Sequence, residues 1–400
     1  MQLPGVRIEE QRARAGTSVI PPRSFDAVVV GAGPAGSVAA LVLARAGASV
    51  GLIDRASFPR TKLCGDTINP GTLAMLDRLG VGREVRSRAQ PITGMLVTGP
   101  GGAWVAADYP DSLCGMALER SHLDALLLNA AVAAGVDFLP GVETIAPLLG
   151  ARSRVTGVRV RRLSREAEIR GRVVIAAEGR RSRLAAAFGL TAFAPSPKRW
   201  AFGAYFTDVA GLTSRGEMHI RPDGYIGVAP LAGGVVNTCV VRELTSNLTL
   251  ESDPSLRDRF AGARCVSPVV SLGPLAVDAV AAGRPGLLLA GDAAGFVDPM
   301  TGDGLRFAIR GGELAAAEAL FELHTGMPAC DRLRSARAHE FSGKWRLNRA
   351  LRSLVASPRG VQLAAALASC WSTPFQPLIG IAGDVSLACR AEATRRLARA

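Results

Sequence analysis

Three glycines and one acidic residue near the start of the chain have the types and spacing that hold a dinucleotide. Gly31, Gly33 and Gly36 follow the apolar run 25–30 and open a stretch rich in Ala, Leu and Val. In such a motif the first glycine allows a sharp turn, the second lets the backbone approach a pyrophosphate, and the third lets a helix pack on a sheet. Asp54 lies 18 positions after Gly36, near the ~20 expected of a carboxylate that accepts ribose hydroxyls. We therefore predict a strand–turn–helix–strand unit that binds NAD, NADP or FAD.

A second acidic residue, far along the chain, favours FAD among these cofactors. Asp292 follows the wholly apolar run Leu287–Ala290, which is typical of a buried parallel strand. A carboxylate at the end of that strand can reach hydroxyls on the far side of a ligand anchored by the glycine turn. FAD carries a ribitol chain between its phosphates and its reactive ring, so it fits this arrangement better than NAD.

A helix start follows the second acidic residue. The segment 299–304 reads Pro-Met-Thr-Gly-Asp-Gly and precedes a helical pattern over 305–320. Unpaired amides at a helix N-terminus attract negative charge, and reduced flavin carries such charge at its pyrimidine edge. A helix start pointed at that edge would tune the flavin for hydride chemistry. The alternative is an ordinary helix capped by Thr301 or Asp303.

These motifs require a domain assembled from separate parts of the chain. We predict an α/β fold: a Rossmann-like FAD-binding domain with an inserted antiparallel-sheet substrate domain and a helical C-terminal tail. Alternating patterns between turns at 222–224 and 233–234 indicate the antiparallel sheet. The predicted boundaries are 1–24 for a flexible lead-in, 25–90, 115–195 and 275–325 for the FAD-binding domain, 91–114 and 196–274 for the substrate domain, and 326–400 for the helical C-terminal region.

Composition argues against several other classes of protein. The net charge is +13, but the basic residues are scattered rather than interleaved with aromatics, so we expect no nucleic-acid partner. The seven cysteines are widely spaced without a Cys-x-x-Cys pair, and the four histidines lack ligand spacing, so neither a disulfide framework nor a metal site is indicated. With no secretory pattern or long uncharged apolar run of spanning length, we expect a cytoplasmic protein.

The order of the motifs resembles the FAD-dependent para-hydroxybenzoate hydroxylase superfamily over roughly 25–325. The matching motifs are Gly31–Gly36, Arg120 at a helix start, Glu178-Gly179, Gly291-Asp292 and Pro299–Gly304. Within the superfamily the chain is most similar to the geranylgeranyl reductase-like branch. That similarity depends on Phe58-Pro59-Arg60, Lys62-Leu63-Cys64-Gly65-Asp66 and Thr301-Gly302-Asp303-Gly304.

The resemblance implies a role for each matched position. The glycines of the turn would meet the pyrophosphate, Asp54 the adenosine ribose, Arg120 the phosphate–ribitol stretch and Asp292 the ribitol hydroxyls. Cys64 and Asp66 would lie beside the flavin ring as candidate proton donors. The residues predicted to bind FAD are Gly31, Gly33, Ala35, Gly36, Asp54, Arg55, Arg120, Asp292, Gly302, Asp303 and Gly304, with Gly302 to Gly304 facing the ring. Those predicted to line a substrate pocket are Tyr225, Gly227 and Pro299.

Two departures from the superfamily patterns affect the expected reaction. Glu178-Gly179 replaces the Asp-Gly of the hydroxylases, so NAD(P)H stays an open choice of electron donor. The Trp-x-Trp-x-Ile-Pro signature of the related halogenases is absent, since Trp200 stands alone, which argues against halogenation. Small apolar residues such as Val235, Val236 and Val240 suggest a hydrophobic ligand.

Three functional hypotheses remain open from the sequence. The leading one is a flavoenzyme that reduces a carbon–carbon double bond of a small hydrophobic, isoprenoid- or polyketide-like molecule. The second is an aromatic hydroxylase or monooxygenase that uses NAD(P)H and O₂. The third is a non-catalytic flavin-binding protein that docks on membranes. The basic helix around 332–352 either packs on the FAD-binding domain or lies on anionic lipid at the inner face of the membrane, and the oligomeric state is left open.

Overall fold

The computed structural model describes residues 23–111, 113–370 and 376–399, so most of the predicted lead-in lies outside the described residues. The strands are β1 Arg23–Val30, β2 Val50–Asp54, β3 Thr67–Ile68, β4 Gln90–Ile92, β5 Gly94–Thr98, β6 Trp104–Asp108, β7 Gly115–Ala117, β8 Asp137–Pro140, β9 Glu143–Leu149, β10 Val155–Arg162, β11 Arg165–Ala176, β12 Thr191–Phe193, β13 Arg199–Thr207, β14 Arg215–Arg221, β15 Gly224–Pro230, β16 Val236–Glu243, β17 Arg264–Cys265, β18 Val270–Leu272, β19 Val277–Ala279, β20 Gly283–Arg284 and β21 Leu287–Leu289. The helices are α1 Pro34–Arg45, α2 Pro70–Arg78, α3 Gly82–Arg86, α4 Arg120–Ala133, α5 Arg183–Ala187, α6 Pro254–Phe260, α7 Gly304–Thr325, α8 Cys330–Val355, α9 Pro358–Cys370, α10 Gln376–Ala382 and α11 Val385–Arg399.

A mainly parallel sheet forms the base of the molecule. Its parallel strands run in the order β21-β11-β1-β2-β8, and β20, β10 and β9 extend it by antiparallel pairing. The apolar second half of β1 is buried because strands pair on both of its sides and helices α1, α4 and α7 cover one face. This sheet and its helices confirm the predicted α/β class with a Rossmann-like FAD-binding domain.

A second sheet stands apart from the first. Its order is β17-β13-β16-β15-β14-β5-β6, with β18 beside β13, and all of its strands lie within the stretches predicted for the inserted domain. One pair differs from the antiparallel expectation, because β5 and β14 are parallel. These two strands come from separate excursions of the chain and no hairpin joins them, so their directions are not forced to oppose.

The C-terminal helices run from the first domain onto the second sheet. Helix α8 packs against α7, with the rings of Phe307 and Phe341 in edge contact 5.1 Å apart. Helices α9 and α10 pack against β6, and α9 also contacts the turn at residues 100–102 that precedes this strand. Helix α11 packs against α2. Among the described helices none is both long and apolar enough to cross a membrane. The tail therefore bridges both sheets.

Candidate active site

A cavity of about 810 Å³ extends from the glycine turn to the second sheet and the tail helices. Its size lies in the range of ligand-binding clefts. One end, called here the cofactor end, is lined by predicted positions of the first domain: Gly31, Gly33, Ala35, Asp54, Arg55, Arg120, Asp292, Gly302 and Gly304. The other, called the apolar end, is lined by side chains of β5, β6, β15, β16 and the helices α8 to α10. The cavity brings together segments from almost the whole chain.

The glycine turn leaves room for a ligand at one position and none at the others. Gly31 has φ +99°, and a Cβ there would lie 2.3 Å from the carbonyl oxygen of Ala177. At Gly36 a Cβ would lie 1.7 Å from the Gly31 oxygen, so this glycine serves helix packing and does not line the cavity. At Gly33 the nearest atom is the Arg60 guanidinium at 3.4 Å. The open cradle lies over Gly33, where α1 begins with no side-chain cap and no acidic residue in its first turn.

The two acidic residues predicted to bind sugar hydroxyls both line the cavity. Asp54 Oδ2 accepts a hydrogen bond from the Ala32 amide at 2.7 Å, and its Oδ1 accepts one from Ala56 at 2.8 Å. These bonds fix the carboxylate at the end of β2 beside the glycine turn. Asp292 lies in the turn after β21, where Gly291 adopts φ +60° and comes close to Ala35.

Two basic residues of the loop after β2, Arg60 and Lys62, line the cofactor end but were not among the predicted binding residues. Arg60 makes an ion pair with Asp124 at 3.5 Å, yet its Nε is buried without a hydrogen-bond partner. Burial lowers the pKa of Lys62, and the nearby Asp292 carboxylate opposes that shift. A pyrophosphate would supply an acceptor to such groups. Their position directly after the acid of a βαβ unit is the signal that could have identified them.

Arg120 begins α4 and joins the cavity wall to the loop containing Cys64. Its side chain is buried and makes two bonds to Asp124, at 2.8 and 3.1 Å. Burial opposes its charge, but Asp124 and the Cys64 side chain outweigh burial and raise the pKa of Arg120 above its ordinary value. The guanidinium is thus a fixed positive charge at the cofactor end of the cavity.

Cys64 lines the cavity, but the other candidate proton donor, Asp66, lies one layer behind the wall. The Asp66 carboxylate is 0% exposed and accepts hydrogen bonds from Asn237 Nδ2 at 2.6 Å, Tyr205 Oη at 2.7 Å and the Arg120 amide at 3.2 Å. Burial dominates these bonds and raises the pKa of Asp66 to about 7. The expectation that both side chains lie beside the ring therefore needs correcting for Asp66, whose left-handed backbone (φ +56°) turns it inward.

Asn237 connects these two residues. Its Nδ2 donates both to Asp66 and to the backbone oxygen of Cys64, the latter at 2.9 Å, and its side chain lines the cavity. The sequence reasoning missed Asn237. A polar residue in an apolar strand facing the pocket was the available signal.

The loop before α7 divides its side chains between the cavity and the interior. Gly302, with φ +68°, and Gly304 line the cavity together with Pro299. Asp303 was expected to face the ring, but its carboxylate is 0% exposed and pairs with Lys344 on α8. Lys344 also lies 2.8 Å from Asp384 in the turn between α10 and α11. Asp303 therefore anchors the C-terminal helices behind the loop.

The apolar end follows the two-residue alternation of the second sheet. Tyr225, Gly227 and Ala229 of β15 and Asn237, Cys239 and Val241 of β16 face the cavity. Val236 and Val240, which the sequence suggested as contacts for a hydrophobic ligand, belong to the core on the opposite face. Tyr225 donates to Asp298, which in turn pairs with Arg199 at 3.2 Å. Burial raises the pKa of Cys239 to about 12, so this thiol stays neutral.

The tail contributes much of the apolar wall, and this position of the tail was not predicted from the sequence. Val361, Ala365 and Ala368 of α9 and Ile379 of α10 are buried and line the cavity. Ala368 and Ile379 belong to one packed cluster with Met95 and Val105 of the second sheet. The stripe at i, i+4 and i+7 was visible in the sequence, but not which surface it covers.

Comparisons with known proteins agree with this arrangement. The model of the family described as FAD binding domain matches residues 24–245. A menaquinone reductase of Mycobacterium tuberculosis is 34% identical over 319 residues, which cover 73% of this chain and 76% of that protein. The chain belongs to this FAD-binding family. It is an FAD-dependent oxidoreductase of the geranylgeranyl reductase-like branch, as the resemblance of the motifs had implied.

Other relatives of this oxidoreductase bear related names. A digeranylgeranylglycerophospholipid reductase of Methanopyrus kandleri is 32% identical over 342 residues, covering 79% of this chain and 83% of that protein. A solved structure of a geranylgeranyl bacteriochlorophyll reductase-like protein from Thermoplasma acidophilum superposes with a TM-score of 0.74 at 22% identity, covering 93% and 96% of the two chains. A myxobacterial chondrochloren halogenase gives 0.75 at 23% identity, covering 82% of each chain. At such identities these two structures show the shared fold alone.

The cofactor end fits FAD on the observations of this structure. The cradle over Gly33 would accept a pyrophosphate, and the Arg60, Lys62 and Arg120 cations lie around it. The carboxylates of Asp54 and Asp292 lie at the ends of β2 and β21, which β1 and β11 separate in the sheet, as two separated groups of hydroxyls require. Gly302 and Gly304 line the cavity and present only backbone to it.

Proposed function

We propose that this oxidoreductase reduces a carbon–carbon double bond in the isoprenoid chain of a hydrophobic molecule. Support comes from the relatives, since both menaquinone and digeranylgeranylglycerophospholipid carry isoprenoid chains. The single observation that carries the proposal is the continuity of the cavity. One cavity of about 810 Å³ joins the cofactor end to the apolar end.

The apolar end is suited to bind such a chain by desolvation alone. Its lining consists largely of Met, Val, Leu, Ile and Ala side chains from the second sheet and the tail. Burial of apolar surface contributes about 25 cal/mol per Å², and a hydrocarbon chain offers no polar atom that would need a partner. Asn237 lines the cavity beside Cys64, to whose backbone oxygen it donates, so a polar head group or the reacting carbon would meet a polar side chain there.

Reduction of a double bond needs a hydride on one carbon and a proton on the other. Bound FAD in its reduced form supplies the hydride. Cys64 is the proton-donating group that we assign, because its side chain lines the cavity in the loop between the two ends. Arg120 beside the Cys64 side chain would stabilise the thiolate left after the proton has gone.

Asp66 acts in this proposal as a positioning residue. Through Asn237 it fixes the backbone of Cys64, and it also holds the start of α4 through the Arg120 amide. With a pKa of about 7, Asp66 is protonated in slightly acidic solution and ionised above neutrality. Ionisation changes the donor and acceptor pattern around Asn237, and therefore the geometry of the Cys64 loop.

NAD(P)H as electron donor is a further part of the proposal. Glu178, in the position of the Asp of hydroxylases, lies at the cavity wall, and its carboxylate accepts a hydrogen bond from Ser182 at 2.5 Å. This bond ties it to the start of α5. The Glu178 carboxylate is therefore bound within the fold and is not free in the cavity.

The test is product analysis with and without oxygen. Purified holoenzyme is reduced by dithionite under nitrogen and given menaquinone or a geranylgeranyl lipid, and the product is examined by mass spectrometry. We expect a gain of two hydrogen atoms per reduced double bond without any requirement for oxygen. An oxygenated product formed only in air would replace the proposal by the hydroxylase alternative.

A further inference from the structure

Large apolar side chains surround the mouth of the cavity. Trp104, Leu354 and Leu378 line the cavity, yet they are 63%, 37% and 37% exposed. They come from β6, α8 and α10, so three elements remote in sequence meet at one opening. We propose that this rim, together with the outer faces of α9 and α10, docks on the surface of an anionic phospholipid bilayer.

Helix α9 has apolar residues on both faces. Val361, Ala365 and Ala368 face inward, whereas Leu363 and Leu367 are 63% and 55% exposed. Ile381 continues the exposed face on α10. A helix on the surface of a globular protein normally carries charged residues on its outer side. Contiguous exposed apolar surface of this kind marks an interaction site.

Charged residues are absent from the part of the sequence that contains most of α9 and all of α10. From residue 360 to residue 383 the sequence contains no Asp, Glu, Lys or Arg. The described helices of this segment are 13 and 7 residues long, too short to cross a bilayer. Helices of this length and character lie in the plane of the interface and bury one face among the acyl chains.

Basic residues at the edge of this face indicate an anionic surface as the partner. Arg346 and Arg349 near the end of α8 and Arg359 at the start of α9 are exposed. Anionic lipids attract such residues next to an inserted apolar face. Trp104 adds an indole at the rim, the side chain that is enriched at membrane–water interfaces. The sequence had suggested lipid contact through 332–352, and the structure moves the contact to the helices that follow.

Docking in this orientation would open the cavity towards the acyl chains. An isoprenoid lipid could then pass from the membrane between α9, α10 and β6 without crossing water. This access route rests on the proposed function, whereas docking itself does not. We therefore test docking by binding alone.

The experiment is flotation of the full-length holoenzyme with vesicles of phosphatidylcholine, with and without phosphatidylglycerol. We expect the wild type to float with the mixed vesicles and high salt to weaken the binding. The double substitution Leu363→Glu with Leu367→Glu should reduce the bound fraction at least about tenfold, since both side chains would carry charge into the acyl region. Quenching of tryptophan fluorescence by brominated lipid should decrease in Trp104→Phe.

A matched control shows whether the loss of binding depends on the position of the new charges or only on their presence. Leu163 and Leu244 are 83% and 61% exposed on turns elsewhere, so Leu163→Glu with Leu244→Glu should float like the wild type. Flavin content and melting temperature verify that each variant is folded. Undiminished flotation of the Leu363 and Leu367 variant would overturn the proposal. It would also be overturned if that variant changed only the oligomeric state, because the face would then belong to a second copy of the chain.

Discussion

The two ends of the cavity are built by different means. At the cofactor end the segment 31–65 supplies the glycine turn, Asp54 and the loop with Arg60 and Lys62, and backbone conformation and a few charges determine its shape. At the apolar end the wall comes from β5, β6, β15, β16 and the tail, which are separated by up to 287 positions (Met95 to Ala382) and meet only in the folded protein. A cofactor common to a superfamily can thus be held by a local motif, while the substrate chamber is formed by long-range packing.

This difference has a functional consequence. Changes at the cofactor end should abolish flavin binding and with it every activity. Changes at the apolar end should alter which molecule reacts and leave the flavin in place. The Cys64–Asp66 loop lies between the ends, so its variants should retain flavin and lose turnover. The predictions below test this separation.

The largest effect is expected at Gly36. A Cβ at this position would lie 1.7 Å from the Gly31 oxygen and 3.2 Å from the Ala177 side chain, so Gly36→Ala must displace α1 from the glycine turn. Overpacking of this kind costs about 1–3 kcal/mol, and we expect flavin affinity to fall about 100-fold, measured by absorbance titration of the apoprotein. Gly343→Ala is the control, because this glycine also lies in a helix and has no atom within 4 Å of its added Cβ. Equal affinity in the two variants would contradict the account of the turn.

The next effect concerns Asp66. Asp66→Asn should retain flavin and lower turnover by about 100-fold, because an amide cannot accept hydrogen bonds on both of its sides as the carboxyl group does and the Cys64 loop is then misplaced. In the wild type, turnover should fall as the pH rises through about 7, where Asp66 ionises, and this inflection should be absent from the variant. The pH profile distinguishes an effect of Asp66 ionisation from a purely structural defect, because such a defect would lower turnover equally at every pH. Asp278→Asn, on an exposed strand, provides the unaffected control.

Stability should report the same group independently. The pKa of Asp66 is raised from 3.8 to about 7 in the folded protein, so the folded state binds its proton more tightly than the unfolded state. The stabilisation is complete below about pH 4 and is lost as the pH rises to about 7, by up to about 1.4 kcal/mol per pH unit. The difference in unfolding free energy between Asp66→Asn and the wild type should change over that interval, as denaturant titration can measure. If this difference in unfolding free energy is independent of pH, the pKa of Asp66 is not raised in the folded protein.

A smaller effect is expected at the apolar end. A Cβ added at Gly227 would lie 3.9 Å from both the Cys239 backbone oxygen and Met218 Cε. Gly227→Leu should therefore fold and occupy part of the chamber. We expect kcat/KM for a long isoprenoid substrate to fall about tenfold with flavin content unchanged. Gly262→Leu adds the same side chain at an exposed position with no atom within 4 Å. Loss of flavin in the Gly227 variant would show that the two ends are not separate.

The same contrast explains what could be predicted from the sequence. The glycine turn, Asp54 and Asp292 line the cavity as expected, because spacing along one or two segments determines their placement, whereas their contact with FAD stays a prediction. Asp66 and Asp303 were assigned to the correct loops, but spacing does not reveal which way a side chain points in a loop. The alternation of β16 could have separated Asn237 and Cys239 from Val236 and Val240. The part played by α9 and α10 could not be read, because a buried stripe does not name the surface that it covers.

The most direct test of the account is rapid mixing of the reduced holoenzyme with an isoprenoid substrate in the absence of oxygen. Because the cavity joins the two ends, the account predicts that flavin absorbance returns at a rate that depends on substrate concentration, and more slowly in Gly227→Leu than in the wild type. If the flavin stays reduced until oxygen is admitted, the apolar end does not deliver a substrate to the cofactor, and the central claim is contradicted.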